Sequence, residues 1–202
     1  MGLTLYSHPQ SGHGYRVELL LAFLNLEYEL IDIDLAARDH RTAEFLALNL
    51  SGQIPVLTDG DFVVTQANAI LFYLARRENA ADWLPLDARS LASVEAWMSR
   101  AAGELAFGVS IARAILLFGR PGDLAGAQKL GLKLLKSMDV HLSNKPYLAA
   151  DRPTICDLAL YSYSALSSEA GISLHPFPHV TSWIARIEKL PRFVPLRRSV
   201  NR

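Results

Sequence analysis

The segment Gly52-Gln53-Ile54-Pro55-Val56-Leu57, followed by Asp59-Gly60 and then by Thr65-Gln66-Ala67-Asn68-Ala69-Ile70-Leu71, constrains this chain more than any other stretch. A proline that opens an apolar run cannot donate to a sheet ladder, so Pro55 belongs at the start or edge of a strand. Asp-Gly between two apolar runs is a hairpin signal. Ala67, Ile70, Leu71 and Leu74 then recur at helical spacing, which predicts a helix from about Gln66 to Glu78. The first amides of that helix lack partners within it and its dipole is positive there, so a carboxylate gains roughly 0.3–1 kcal/mol. If the Ile54-Pro55 bond is cis, at about 0.5–1 kcal/mol for an X-Pro bond, the Ile54 amide and carbonyl can pair with a bound peptide as a short added strand. Taken alone, Pro55 reads better as an ordinary strand-edge proline. The helix start after it is what points to a site for a small anionic peptide.

The segment before it alternates element types. Leu3 to Tyr6 reads as a strand, Tyr15 to Leu26 as a helix, Tyr28 to Leu35 as a strand and Thr42 to Leu48 as a helix, giving the order βαβαββα through residues 1–79. The helix from Tyr15 is apolar on most sides, so it belongs in a core. The stretch Asn79 to Asp87, polar and containing Pro85, reads as a linker. Residues 88–202 look all-helical, with helices expected at Ala88–Phe118, Asp123–Leu142, Thr154–Ala170 and Val180–Leu190. Pro121, Lys145-Pro146, Pro176, Pro178 and Pro191 mark the breaks. Thr154-Ile155-Cys156-Asp157 is a capping box, worth about 0.5–2 kcal/mol at the threonine, and its role is folding.

With 202 residues, half of them hydrophobic, and a net charge of zero, the chain can bury one large core or two modest ones. Neutrality argues against a nucleic-acid partner. No apolar run is read as approaching the roughly 20 residues that cross a bilayer, and the start of the chain enters a strand pattern without a signal-peptide layout. A cytoplasmic protein with no membrane partner is expected. The single cysteine, Cys156, excludes an internal disulfide and sits in an apolar helical context that argues against catalysis.

A βαβαββα domain with Ile54-Pro55, a Gln66-Ala67 helix start, an all-helical second domain and Thr154-x-x-Asp157 resembles the cytosolic glutathione transferases along essentially the whole chain. Glu44-Phe45-Leu46-Ala47-Leu48-Asn49 and Arg152-Pro153-Thr154-Ile155-Cys156-Asp157-Leu158-Ala159 resemble family signatures too. The resemblance implies a thioredoxin-like domain that binds glutathione as co-substrate, a helical domain that shapes the electrophile pocket, and a homodimer. The implied activity is conjugation of the glutathione thiolate to small hydrophobic electrophiles, with glutathione peroxidase activity as a companion.

Within that resemblance Ser11 is the candidate catalytic residue. It lies just before the first helix, where a hydroxyl can donate to a sulfur and the helix end favours negative charge. Tyr6 is the rival, although it falls in the strand pattern; Ser7 and His13 rank lower. Gln53 and Ile54 are implied to hold the cysteinyl part of glutathione, Gln66 and Ala67 the γ-glutamyl end, and His40 the glycine carboxylate, with a solvated turn as the plain alternative for Arg38-Asp39-His40-Arg41. Tyr15, Phe107, Ile111 and Arg113 are candidates for the electrophile pocket. Two positions depart from the family pattern: Ala67 stands where a serine is usual, and Leu50 where a proline is common. The missing hydroxyl predicts weaker glutathione binding, by about 0.5–1.5 kcal/mol for one lost hydrogen bond.

Other readings are weaker. His8 with His13, and His175 with His179, lack companions at metal-ligand spacing, so no metal is expected. Ser11 has no G-x-S-x-G context. The first loop has no cysteine for thiol-disulfide exchange or reductive dehalogenation. A non-catalytic, glutathione transferase-like ligand-binding or protein-interaction module is the alternative function, and Ala67 is the feature that favours it. Arg197, Arg198 and Arg202 read as a solvated tail.

Overall fold

A computed structural model describes residues 2–195 of the chain, which form two compact units. The first comprises the residues up to Ala80 together with the segment from Pro191, and the second spans Ala81–Leu190. The basic tail at Arg197, Arg198 and Arg202 lies outside the described residues.

The first unit is a four-stranded sheet with helices. Its strands are β1 (Leu3–Ser7), β2 (Tyr28–Asp32), β3 (Val56–Asp59) and β4 (Phe62–Thr65), and its helices are α1 (Gly12–Phe23), α2 (Ala43–Leu48) and α3 (Ala67–Arg77). The spatial order is β2-β1-β3-β4, with β1 and β2 parallel and the other pairs antiparallel. Leu5, Val56 and Leu57 of the central strands are wholly buried, as are Leu19, Leu20 and Leu21 of α1 and Ile70, Leu71 and Leu74 of α3. The hairpin turns at Gly60, whose φ of +63° suits a residue without Cβ. Asp59, at the end of β3, accepts hydrogen bonds from Tyr73 Oη at 2.8 Å and Arg77 Nε at 2.6 Å, which lock the hairpin to α3.

Several boundaries differ from the sequence reading, α1 ending at Phe23 rather than Leu26 among them. The first helix begins at Gly12 rather than Tyr15, because Ser11 caps it by accepting from the Gly14 amide at 3.0 Å. The glycines at positions 12 and 14 hide this start from propensity. Strand β2 stops at Asp32 rather than Leu35, because Asp34 Oδ1 accepts from the Ala36 and Ala37 amides at 2.8 and 3.0 Å and turns the chain.

The second unit is helical, with α4 (Ala88–Arg100), a wider π-type stretch (Ala101–Ser110), α5 (Ile111–Phe118), α6 (Leu124–Leu142), α7 (Ile155–Ser164) and α8 (Pro178–Glu188). Ala88–Phe118 is one continuous helix of 31 residues, long and apolar enough by composition to span a bilayer, which corrects the reading that no such run exists. It also carries Arg100, paired to Glu104 at 2.5 Å, and buried Arg113, paired to Glu169 at 2.6 Å. Its π-type stretch passes α6 at two glycines: a Cβ built on Gly108 would stand 2.7 Å from the Gly131 backbone nitrogen. Helix α7 ends at Ser164, with a separate short turn at Ser167–Ala170, and Pro178 starts α8 rather than breaking before it. Proline at N1 loses no helical hydrogen bond, since that amide would have no intrahelical partner.

The capping box forms. Asp157 is fully buried and accepts from the Thr154 amide at 2.9 Å, Thr154 Oγ1 at 3.0 Å, the Leu148 amide at 3.0 Å and Trp183 Nε1 at 3.0 Å. Burial pushes its carboxyl up, and these four donors oppose that shift. The thiol of neighbouring Cys156 is pushed well up by burial and then by the Asp157 charge, as befits an inert core cysteine. Residues Ala81–Trp83 are docked onto the helices: the Ile155 amide donates to Trp83 O, and Arg152 donates to the carbonyls of Asp82 and Ala81.

Candidate functional site

Strand register gathers the candidate residues of the first unit at one end of its sheet. Tyr6 pairs with Val56 and Val56 with Thr65. The loop leaving β1 at Ser7, the Ile54-Pro55 entry to β3 and the Gln66 exit from β4 therefore emerge side by side. Strand β2 ends there too, and the Ile33 amide donates to Ser7 O at 2.7 Å.

Ser11 sits at the mouth of this end, half-buried, in extended backbone as the N-cap of α1. Its amide donates to His8 O at 2.8 Å, which closes the loop. Since Ser11 Oγ accepts from the Gly14 amide with one lone pair, its own proton remains to be donated to a ligand. The rivals are placed differently. Tyr6 packs edge-on against Phe45, with ring centroids 6.2 Å apart, inside a cluster with Ile33 and Val56. Ser7 is wholly buried, and its hydroxyl has no hydrogen-bond partner among the described residues. Burial and then the Arg16 guanidinium push His13 down to about 3, so it is neutral at physiological pH.

The Ile54-Pro55 bond is cis. The loop before it is organised by Asn49, which is buried: its Nδ2 donates to Gln53 O at 2.7 Å, while its Oδ1 accepts from Ser51 N and Ser51 Oγ. Gly52 adopts φ +62°, and a Cβ there would stand 2.9 Å from His40 O and 2.7 Å from Arg41 Nη1. This close approach brings the 38–41 turn against the Gln53-Ile54 segment. His40 Nδ1 is buried with no hydrogen-bond partner among the described residues. Burial, then the Arg41 and Arg38 charges, hold His40 below its ordinary value. Gln66 caps α3 with φ +71° and ψ +117°, a conformation rare outside glycine, and the Ala67 amide opens the helix behind it.

The electrophile-pocket candidates are more scattered in their surroundings. Tyr15 is buried and its hydroxyl donates to Val194 O at 2.5 Å. Phe107 is exposed and Ile111 half-buried on the long helix. Arg113 is buried, held by Glu169 and lying over the Phe118 ring. Among the described residues, no group of three or more His, Cys, Asp or Glu side chains is arranged to hold a metal.

This end of the sheet brings together a capped helix, a half-buried hydroxyl and a second helix start, where unpaired amides favour negative charge. Comparison with known proteins gives the family. Residues 1–76 match the glutathione S-transferase N-terminal domain family, and residues 124–191 match the C-terminal domain family. Glutathione S-transferase 3 of Zea mays is 34% identical, over 95% of this chain and 91% of that protein. The chain belongs to the glutathione S-transferase family. Human glutathione S-transferase theta-2 is 28% identical over 93% of this chain and 81% of its own. The crystal structure of a glutathione S-transferase from Pseudomonas fluorescens superposes with a TM-score of 0.91 at 33% identity, covering 97% and 99% of the two chains. A glutathione transferase homologue from Drosophila mojavensis, solved with bound glutathione, has a TM-score of 0.85 at 26% identity, covering 94% and 89%. This glutathione transferase thus pairs a thioredoxin-like unit with an all-helical one.

Two residues of the site escaped the sequence reading. Asn49 was seen only as part of a signature, although an asparagine after a short helix is a common loop organiser. Arg16 is 1% exposed, and its Nη1 donates to Asn68 Oδ1 at 2.8 Å, joining α1 to α3. A lone arginine inside the apolar run of α1 was the signal that could have found it.

Proposed function

We propose that the first unit binds glutathione with Ser11 as the thiolate stabiliser, and that the bound thiolate attacks small hydrophobic electrophiles. The observation that carries this reading is Ser11 itself, a half-buried N-cap whose oxygen accepts from Gly14 and whose proton is still available. The Gln53-Ile54 backbone takes the cysteinyl part, the Gln66 side chain and Ala67 amide take the γ-glutamyl end, and His40 donates to the glycine carboxylate.

A free thiol, with a pKa near 8.5, is only a few per cent ionised at neutral pH. One charge-assisted hydrogen bond contributes roughly 1.5–3 kcal/mol, and about 1.36 kcal/mol corresponds to one pKa unit. Ser11 and the α1 dipole together therefore lower the bound thiol by about one to two units. In conjugation the sulfur lone pair forms the new C–S bond while the leaving group departs with its electron pair. With a hydroperoxide, the same sulfur attacks the terminal oxygen, the O–O bond breaks and the alkoxide leaves with its electron pair and takes up a proton. A second glutathione converts the resulting glutathione sulfenic acid to the disulfide and water, which makes peroxidase activity the second assay to run. Phe107 and Ile111, on the long helix, are the proposed apolar contacts for the electrophile.

The enzyme is proposed to work as a homodimer in the cytoplasm, in detoxification. Exposed Phe62 and Phe72, on β4 and α3, support a self-association surface. The alternative of a non-catalytic module is favoured only by Ala67, which offers no hydroxyl to the γ-glutamyl carboxylate.

Calorimetric titration of glutathione, followed by a pH scan of thiolate absorbance in the complex, tests the reading. Micromolar to low-millimolar binding with a lowered thiol pKa supports it. Replacing Ser11 by Ala should raise that pKa by about one unit or more and cut conjugation at least tenfold with little change in affinity. Absence of binding by the wild-type protein overturns it in favour of the module.

A further inference from the structure

We propose that Arg16 and Asn68 form a positioning brace that sets the register between the Ser11 end of α1 and the γ-glutamyl cradle at Gln66-Ala67; this rests on the glutathione site proposed above. The bond is direct, 2.8 Å from Arg16 Nη1 to Asn68 Oδ1, and Arg16 is 1% exposed, so water does not compete for the guanidinium. One partner lies five residues beyond Ser11 on α1 and the other two residues beyond Gln66 on α3. The brace is therefore a short link between the two helix starts that would share one ligand.

Gln66 gives the link its purpose. With φ +71° and ψ +117° it occupies backbone space that persists only where neighbouring structure over-determines it. On one side the β4 ladder holds it through the Thr65–Val56 pair. On the other, the first turn of α3 holds it through the Ile70 amide, which donates to Gln66 O at 3.0 Å, and through Asn68, clamped by Arg16. Releasing Asn68 frees that first turn to shift, and Gln66 and the Ala67 amide move with it.

The demand on this register is sharper here than in a chain with a serine at position 67. A hydroxyl can rotate to follow a carboxylate, whereas Ala67 offers only a backbone amide, whose direction is set by the helix start. The cation at Arg16 is also felt at the α1 N-terminus, since it helps to push His13 down.

The test uses the full chain and the partly exposed partner, so that folding is spared. Asn68→Ala should weaken glutathione binding about fivefold by calorimetry, raise KM for glutathione by the same factor and leave KM for the electrophile unchanged. Its affinity for γ-glutamylcysteine should fall as much, while that for cysteinylglycine, which lacks the γ-glutamyl group, should stay put. Asn68→Asp keeps an acceptor for Arg16 and should restore glutathione binding to within twofold of wild type. A lower melting temperature for Asn68→Ala with unchanged glutathione affinity would make the pair merely structural and overturn the brace. Wild-type protein that binds no glutathione refutes the site itself, and this outcome is seen before any variant is made.

Discussion

Gly14→Ala is the substitution for which two physical effects predict opposite signs. Helix propensity alone favours alanine over glycine in α1 by up to about 1 kcal/mol. Packing opposes it: a Cβ on Gly14 would stand 1.8 Å from Ser7 Oγ, 3.1 Å from Ser7 Cβ and 3.5 Å from Ser11 Cβ. Ser7 is wholly buried at the end of β1. Rotating its χ1 moves the oxygen aside but leaves the 3.1 Å contact between the two Cβ atoms, so the helix start must lift from the sheet. Inserting a methyl group into a packed core costs about 1–3 kcal/mol, and the balance is a net loss of about 1–2 kcal/mol. For a chain of this size that lowers the melting temperature by about 2–8 °C. Adding Ser7→Ala removes the oxygen and should return about half of the loss, a coupling of order 1 kcal/mol in a double-mutant cycle. Far-UV circular dichroism is the appropriate probe, because Trp83, Trp97 and Trp183 all lie in the second unit. The lifted helix carries Ser11 with it, so the thiol pKa of bound glutathione should rise in Gly14→Ala and recover in part in the double variant. A higher melting temperature for Gly14→Ala, as propensity alone would give, refutes the close packing of α1 on β1.

Three further outcomes are expected. Ala67→Ser should tighten glutathione binding by about two- to tenfold, the worth of one hydrogen bond; unchanged calorimetric affinity would mean that the carboxylate is held elsewhere. Gly108→Ala should destabilise the second unit by about 2–3 kcal/mol, because its Cβ would meet the Gly131 backbone, which cannot rotate away; an unshifted urea midpoint by tryptophan fluorescence would count against that crossing. His13 takes up its proton near 3 in the folded chain and near the ordinary 6.5 when unfolded. Between those values the unfolded state binds more protons, so stability falls as pH drops below about 6.5, by up to about 1.4 kcal/mol per pH unit. His13→Gln should flatten that slope in urea titrations, and an identical slope would rule out His13 as its source.

The place of Ser11 at a helix start was legible because a cap, a helix start and a short loop lie within a few residues of one another. Gln53, Ile54, Gln66 and Ala67 were legible for the same reason, as strand-entry and helix-entry signals. His40 could be named but not located from the sequence, since only the Gly52 approach brings its turn against the 53–54 segment. Arg113 looked like a polar member of a pocket wall, and its pairing with Glu169, 56 residues away, has no local signature. Asn49 and Arg16 were missed because their partners lie across loops or on other helices.

What the sequence determined by itself was the order of elements, the Asp59-Gly60 turn, the Thr154–Asp157 capping box and the division between an α/β part and a helical part. These depend on contacts between residues three or four apart, or on periodicity that a single segment displays. Tertiary structure alone decided that the long helix widens between Ala101 and Ser110, that Tyr15 donates to Val194 and that Arg16 holds Asn68. Each of these is a contact or distortion whose energy comes from a distant segment. A sequence read one window at a time carries the propensity of each helix end but not the partner that selects among its conformations.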